Sequence, residues 1–232
     1  MFRSTNPAVP GLYAIRSDGS GEGKRLTEGA PIEFLYSFSP DGKRLAMHQT
    51  GHSGSWDLFT MPVQADAGPG ALGLRLEKGE LFLGTPFDER NPAFSPDGHW
   101  LAYTSNESVK FEVYVRPYPG PGGRWPVSTG GGLLPVWRRD GRELLFETLD
   151  RRVMAVSYAA SGDSFAAGQP RLWTNTRLRA TGSFIPNYDL APDGKRLAAA
   201  VADDVNGEKP PTHLTFLLNF FDELRRKAPS DK

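Results

Sequence analysis

Four times along the chain a bulky apolar residue stands four positions before a glycine, and apolar residues follow that glycine at three and five positions. The glycines are Gly42, Gly98, Gly141 and Gly194. Phe38, Phe94, Trp137 and Leu190 precede them; Leu45, Leu101, Leu144 and Leu197 follow, and then Met47, Tyr103, Phe146 and Ala199. An interval of two between apolar positions is the period of a strand with one face buried. Asp41, Asp97, Asp140 and Asp193 stand directly before the glycines, with Pro before Asp in three copies and Arg139 in the third. In such a turn Pro presets φ, Asp accepts local backbone hydrogen bonds, and Gly takes the left-handed position. The pattern predicts β-hairpins at 36–48, 92–104, 135–147 and 188–200, each with a bulge at its glycine. The aspartates are then turn formers rather than ligands or catalysts.

Between the hairpins lie further strand-like runs: "WDLFTMPV" (56–63), "FEVYVRPYPG" (111–120), "RVMAVSY" (152–158) and "HLTFLLNF" (213–220). "GRWPVSTGG" and "RLWTNT" supply fourth strands. Four short antiparallel strands per 40–55 residues is the grammar of a β-propeller blade. The fold class is therefore all-β, a β-propeller that is partial or has about five blades. Residues 1–30 fit only as a half blade, with a third strand at Leu12–Arg16, a fourth at Lys24–Thr27, and no hairpin before them. Residues 31–219 hold the repeats, and 220–232 form a short helical tail with Phe220, Phe221 and Leu224 on one side. The mid-blade start favours an open arc over a ring in which the half blade completes the last blade.

Composition narrows the partners. Lys+Arg and Asp+Glu are both 27, which gives no basic field for nucleic acid or an anionic membrane surface. No run of 18 apolar residues offers a membrane span, and the first residues lack an apolar signal-peptide core. The chain carries no compartment signal of its own. With no cysteine, disulfides, thiolate catalysis and Cys-ligated zinc are excluded. Gly (26) and Pro (20) fit a fold with many turns.

"LYAIRSDGSGEGKRLT" and the "FSPDG..LA" hairpins resemble the TolB-type and WD40-like (PD40) propeller repeats of bacteria. Arg138-Arg139 in the third unit and Ala191 in the fourth depart from that pattern. The ending "THLTFLLNFFDELRRKAP", with Asn219–Leu224 matching an N-[WF]-F-[DE]-E-L segment, resembles the C-terminal propeller of bacterial serine/threonine kinase fusion proteins. The resemblance implies the propeller end of such a protein, or a relative that lost the kinase. The kinase motifs themselves (a glycine-rich loop after a strand, V-A-I-K, H-R-D, D-F-G) are absent from the chain.

Candidate chemistry is sparse. "GHSGS" (51–55) falls short of a G-x-S-x-G nucleophile elbow, because Ser55 stands where the second Gly should, so Ser53 is no nucleophile. His48 and His52 are four apart but read as a solvated loop between strands, without H-E-x-x-H. His99 and His213 read as surface residues. Asp88 and Glu89, and Asp203, Asp204 and Glu208, lack the calcium-loop spacing. "GPGGRWPVSTGGG" (120–132) lacks the Gly-Lys-Ser/Thr ending of a phosphate cradle. No catalytic residue, cofactor or metal is expected.

The turns with Pro-Asp-Gly join first and second strands, so they share one face of the propeller. The second-to-third and inter-blade connections share the other, and include 48–57, 85–91, 105–110, 174–183 and 202–212. Loops on a rigid scaffold collect binding residues. The expected binding face therefore carries His52, Trp56, Asp88, Glu89, Arg90, Asn106, Glu107, Arg177 and Arg179. The expectation is an interaction or sensor module for a protein or peptide, with an accessory propeller of a hydrolase or envelope protein as the alternative.

Overall fold

The computed structural model describes residues 1–4, 11–16, 18, 22–27, 33–51, 54–66, 73–182 and 184–201, and these contain strands and turns but no helix. The expected strand at 213–220, the tail at 220–232, His213, Asp203, Asp204, Glu208, His52 and Ser53 lie outside the described residues.

Five antiparallel sheets follow one another along the chain. The first has the order β1 (Phe2–Ser4), β2 (Gly11–Ala14), β3 (Lys24–Arg25). The second runs β4 (Glu33–Phe38), β5 (Arg44–Thr50), β6 (Trp56–Asp66), with β7 (Gly73–Leu76) and β8 (Glu80–Leu83) both pairing β6. The third is β9 (Glu89–Phe94), β10 (Trp100–Ser108), β11 (Lys110–Pro117) and β12 (Trp125–Pro126). The fourth is β13 (Leu133–Trp137), β14 (Glu143–Glu147) and β15 (Val153–Ser161), with β16 (Ser164–Ala167) and β17 (Arg171–Thr174) both on β15. β18 (Tyr188–Leu190) and β19 (Leu197–Ala199) form the fifth. The first strands β4, β9 and β13 lie side by side, so the sheets are arranged as blades around a common axis. The architecture is a partial β-propeller.

Stacking explains the burial. A blade sandwiched between neighbours buries both faces of its middle strands, so alternation fades there. Leu45 and Met47 pack with Leu12 of the first sheet, whereas Ala46 packs with Phe94, Leu101 and Tyr103 of the third. Trp100, Val113 and Val115 meet Trp137, Leu144 and Phe165 between the third and fourth sheets. Leu145, Val153 and Ala155 meet Tyr188 and Leu190 between the fourth and fifth. Each core is shared by two blades and none is internal to one.

The hairpin turns carry the expected chemistry. Gly42, Gly98, Gly141 and Gly194 all have φ between 65 and 74°, where a side chain would be strained. Ser39 Oγ donates to Asp41 (2.6 Å) and accepts the Arg44 N–H (2.9 Å); Ser95 does the same with Asp97 (2.5 Å) and Trp100 (3.0 Å). The Ser39 hydroxyl, then the Lys43 N–H, hold the Asp41 carboxyl below its ordinary value. In the third turn a guanidinium replaces the hydroxyl: Arg138 donates to Asp140 (2.8 Å) and also to Glu143 (2.7 Å).

Several expectations change. β1 adds a strand ahead of the N-terminal pair. β6 and β15 overrun their blades and fold back with β7 and β16 as extra hairpins. The loop expected at 105–110 is almost wholly strand, with Asn106 and Glu107 inside β10 and the chain reversing at Val109. His48, expected in a solvated loop, lies in β5 and is 1% exposed. Glu89 opens β9 and is also 1% exposed. Both sit on strand faces that the neighbouring blade covers.

Candidate functional site

Four of the expected residues converge at the loop end of the second and third blades. Trp56 begins β6, and its backbone N–H donates to Asp88 Oδ1 (3.0 Å). The Asp88 N–H donates to Asn106 Oδ1 (2.9 Å), and Asp88 Oδ2 accepts from Arg90 (3.0 Å). The Arg90 guanidinium carbon lies 4.8 Å from the ring centre of Trp56 and 4.3 Å from that of Phe184. A guanidinium between two aromatic faces is held by cation–π attraction as well as by its ion pair.

Beneath this layer His48 packs against Phe34, Tyr36 and Trp56, with ring centres 5.1, 4.9 and 4.9 Å away. Its Nδ1 accepts the Asn91 N–H at 3.2 Å. Burial, and then the positive charge of Arg90, push the imidazole down to about 3, so it is neutral. Glu89 points the other way along β9, where Thr85 Oγ1 donates to it at 2.5 Å. Burial raises its carboxyl to about 7 despite that hydrogen bond.

The remaining candidates stand apart. Glu107 pairs with Arg124. Arg177 and Arg179 are exposed on the long connection before β18 and do not join the cluster. Sequence reasoning missed Phe34, Tyr36, His48, Asn91 and Phe184. Phe34, Tyr36 and Trp56 pack on His48 within the second blade, while Asn91 and Phe184 reach them from outside that blade, and no local pattern marks those contacts.

No family model matches the chain, and no curated protein sequence matches it. Solved propellers do. A TolB-type protein of Agrobacterium tumefaciens matches at 16% identity and TM-score 0.52, over 72% of this chain and 59% of its own. TolB from Acinetobacter baumannii matches at 16% and 0.51, over 83% and 48%. A puromycin-hydrolyzing peptidase of Mycobacterium tuberculosis matches at 15% and 0.50, over 85% and 34%. In fold the chain is a TolB-like propeller. It spans 59%, 48% and 34% of the length of those three structures.

In this propeller the loop end has two further properties. The Phe184 carbonyl accepts hydrogen bonds from Tyr36 Oη on β4 and Asn91 Nδ2 on β9, both at 2.9 Å. The connection from the fourth blade to the fifth is thereby tied across to the first strands of the second and third. Four apolar side chains also stand exposed on connections at this end: Phe87, Val109, Leu149 and Ile185. Val109 is 95% exposed and has φ +75°, a costly conformation for a β-branched residue. With its polar groups tied to one another, the cluster can present a rigid, partly apolar surface.

Proposed function

We propose that this propeller is a non-catalytic interaction or sensor module, the C-terminal part of a kinase-linked protein, and that its loop end binds a protein or peptide. The observation that carries this reading is Val109. A fully exposed β-branched residue at the tip of a strand pair, in a left-handed conformation that Gly or Asn adopts more readily, costs stability and adds nothing to the core. A contact surface supplies a reason for it, and Phe87, Leu149 and Ile185 surround the same end with apolar area. The neutral, hydrogen-bonded state of His48 fits a structural role better than that of a general base.

The test places a photo-crosslinking residue at Val109, and separately at Leu81 on the outer strand β8, in cells that make the whole protein. Discrete adducts from Val109, lost on Ile185→Asp, are the expected result. Equal adducts from both positions, or none from Val109, would remove the loop end as the binding face. The kinase link is read from the sequence upstream of Met1, where a kinase domain and a membrane span are expected.

The second reading, an accessory propeller of a hydrolase or an envelope protein, is favoured by the fold likeness to the M. tuberculosis peptidase. A secretion signal or a hydrolase domain next to the propeller would decide for it.

A further inference from the structure

A large opening among the first strands lies at the end opposite the loop cluster. A cavity of about 620 Å³ sits between the hairpin ends of the first strands, lined by Tyr36, Phe38, Phe94, Trp137, Arg139 and Asp189 among others. A smaller one of about 230 Å³ lies further along the same strands, beside Tyr36 and Asn91, whose side chains hold the Phe184 carbonyl. The axis is thus crossed by a strap at the loop end and roomy at the Pro-Asp-Gly end.

Two repeat positions in the large cavity are out of pattern. Pro40 and Pro96 line it from the first two turns, and the third turn puts Arg139 at the equivalent position. One position earlier in each repeat than the bulky residue stand Ser37, Ala93, Val136 and Asp189, all of them lining the cavity. The turn does not need Arg139. Arg138 makes the turn's ion pairs, Gly141 takes the left-handed φ, and the Arg142 N–H caps Asp140. Among the described residues Arg139 has no hydrogen-bond or ion-pair partner, and it is exposed. Phe38, an aromatic residue 43% exposed, lines the same space. Asp189 gives one oxygen to its neighbour's N–H, from Leu190 at 2.8 Å.

We propose that this cavity is a binding site for a small monoanionic carboxylate with an apolar, ring-bearing body. Arg139 takes the carboxylate, and Tyr36, Phe38, Phe94 and Trp137 take the body. The volume is that of a small-molecule pocket, for which roughly 300–1,000 Å³ is usual. A guanidinium without a partner suits a planar carboxylate. Asp189 in the same cavity disfavours a doubly charged phosphate and so selects for the single charge. The site opens on the face opposite the loop-end surface and shares Tyr36 with the strap.

The test is calorimetric titration of the full chain with 3-phenylpropionate, its amide, and phenyl phosphate. The carboxylate is expected to bind at least about ten-fold more tightly than the amide, the usual scale of a charge-assisted hydrogen bond. Arg139→Pro restores the residue of the other turns, and Arg139→Gln keeps a polar hydrogen-bonding side chain without the charge. Both are expected to lose that preference while melting like the parent. Asp189→Asn keeps the oxygen that accepts from Leu190 and is expected to tighten the carboxylate a few-fold. No binding by the folded parent, an amide that binds as well as the acid, tighter binding of the phosphate, or undiminished binding by either Arg139 variant would each overturn the proposal.

Discussion

The Arg90 guanidinium of the third blade lies over the ring of Phe184 on the connection between the fourth and fifth, with its carbon 4.3 Å from the ring centre. The ring also packs edge-on against Phe111 of the third blade at 4.6 Å. The hydrogen bonds from Tyr36 and Asn91 end on the Phe184 backbone carbonyl, so they do not depend on the ring. Phe184→Ala is expected to cost about 2 kcal/mol, less than for a fully buried Phe, while leaving the strap in place. Urea unfolding measures it; an unchanged midpoint would mean that the ring contributes nothing to the tie between the blades.

Stability is expected to depend on pH through two buried groups with opposite signs. Folded His48 stays neutral down to about 3, whereas the unfolded chain takes up the proton near 6.5. Its contribution is full above about 6.5 and is lost as the pH falls towards 3. Folded Glu89 keeps its proton up to about 7, whereas the unfolded chain releases it near 4.5. Its contribution is full below about 4.5 and is lost as the pH rises to about 7. Denaturation midpoints from pH 4 to 8 should show His48→Gln flattening the acid side of the profile and Glu89→Gln the alkaline side. Variants whose profiles run parallel to the parent's would contradict the burial of these groups.

The repeated turns predict a graded series. Ser95 is fully buried, and its hydroxyl both donates to Asp97 and accepts the buried Trp100 N–H. Ser95→Ala leaves that N–H without a partner, and a loss of about 1–3 kcal/mol is expected. Ser39, which is 8% exposed in a turn whose hydrogen bonds are only partly buried, should cost less on the same change. Gly98→Ala, at φ +74°, should cost about 1 kcal/mol through backbone strain alone. Thermal melts of the three single variants check the order.

Val109→Asn is expected to raise stability by about 1 kcal/mol, because Asn tolerates the left-handed conformation and no packing is lost. The same change should weaken crosslinking or binding at the loop end. A variant that is no more stable, or that binds undiminished, would separate the strained turn from any contact role.

Local chemistry was enough to place the four hairpins. A Pro-Asp-Gly turn and apolar residues at three and five positions act over about ten residues, and the turn glycines and serine hydroxyls behave as those positions require. The propeller class followed from repetition, which left it partial or of about five blades. Side-chain burial did not: the loops expected around His48 and Glu89 are strand, and both side chains lie buried on a strand face. Here a second sheet covers that face, and only the stacked structure shows it. The same is true of the loop end, where Trp56, Asp88, Arg90 and Asn106 come together from separate connections, and of the strap from Phe184 to Tyr36 and Asn91. Arg139 shows both sides of the matter. The sequence marks it as a break in the repeat, and the arrangement of first strands around the axis turns that break into a cation that lines a cavity and is unpaired among the described residues.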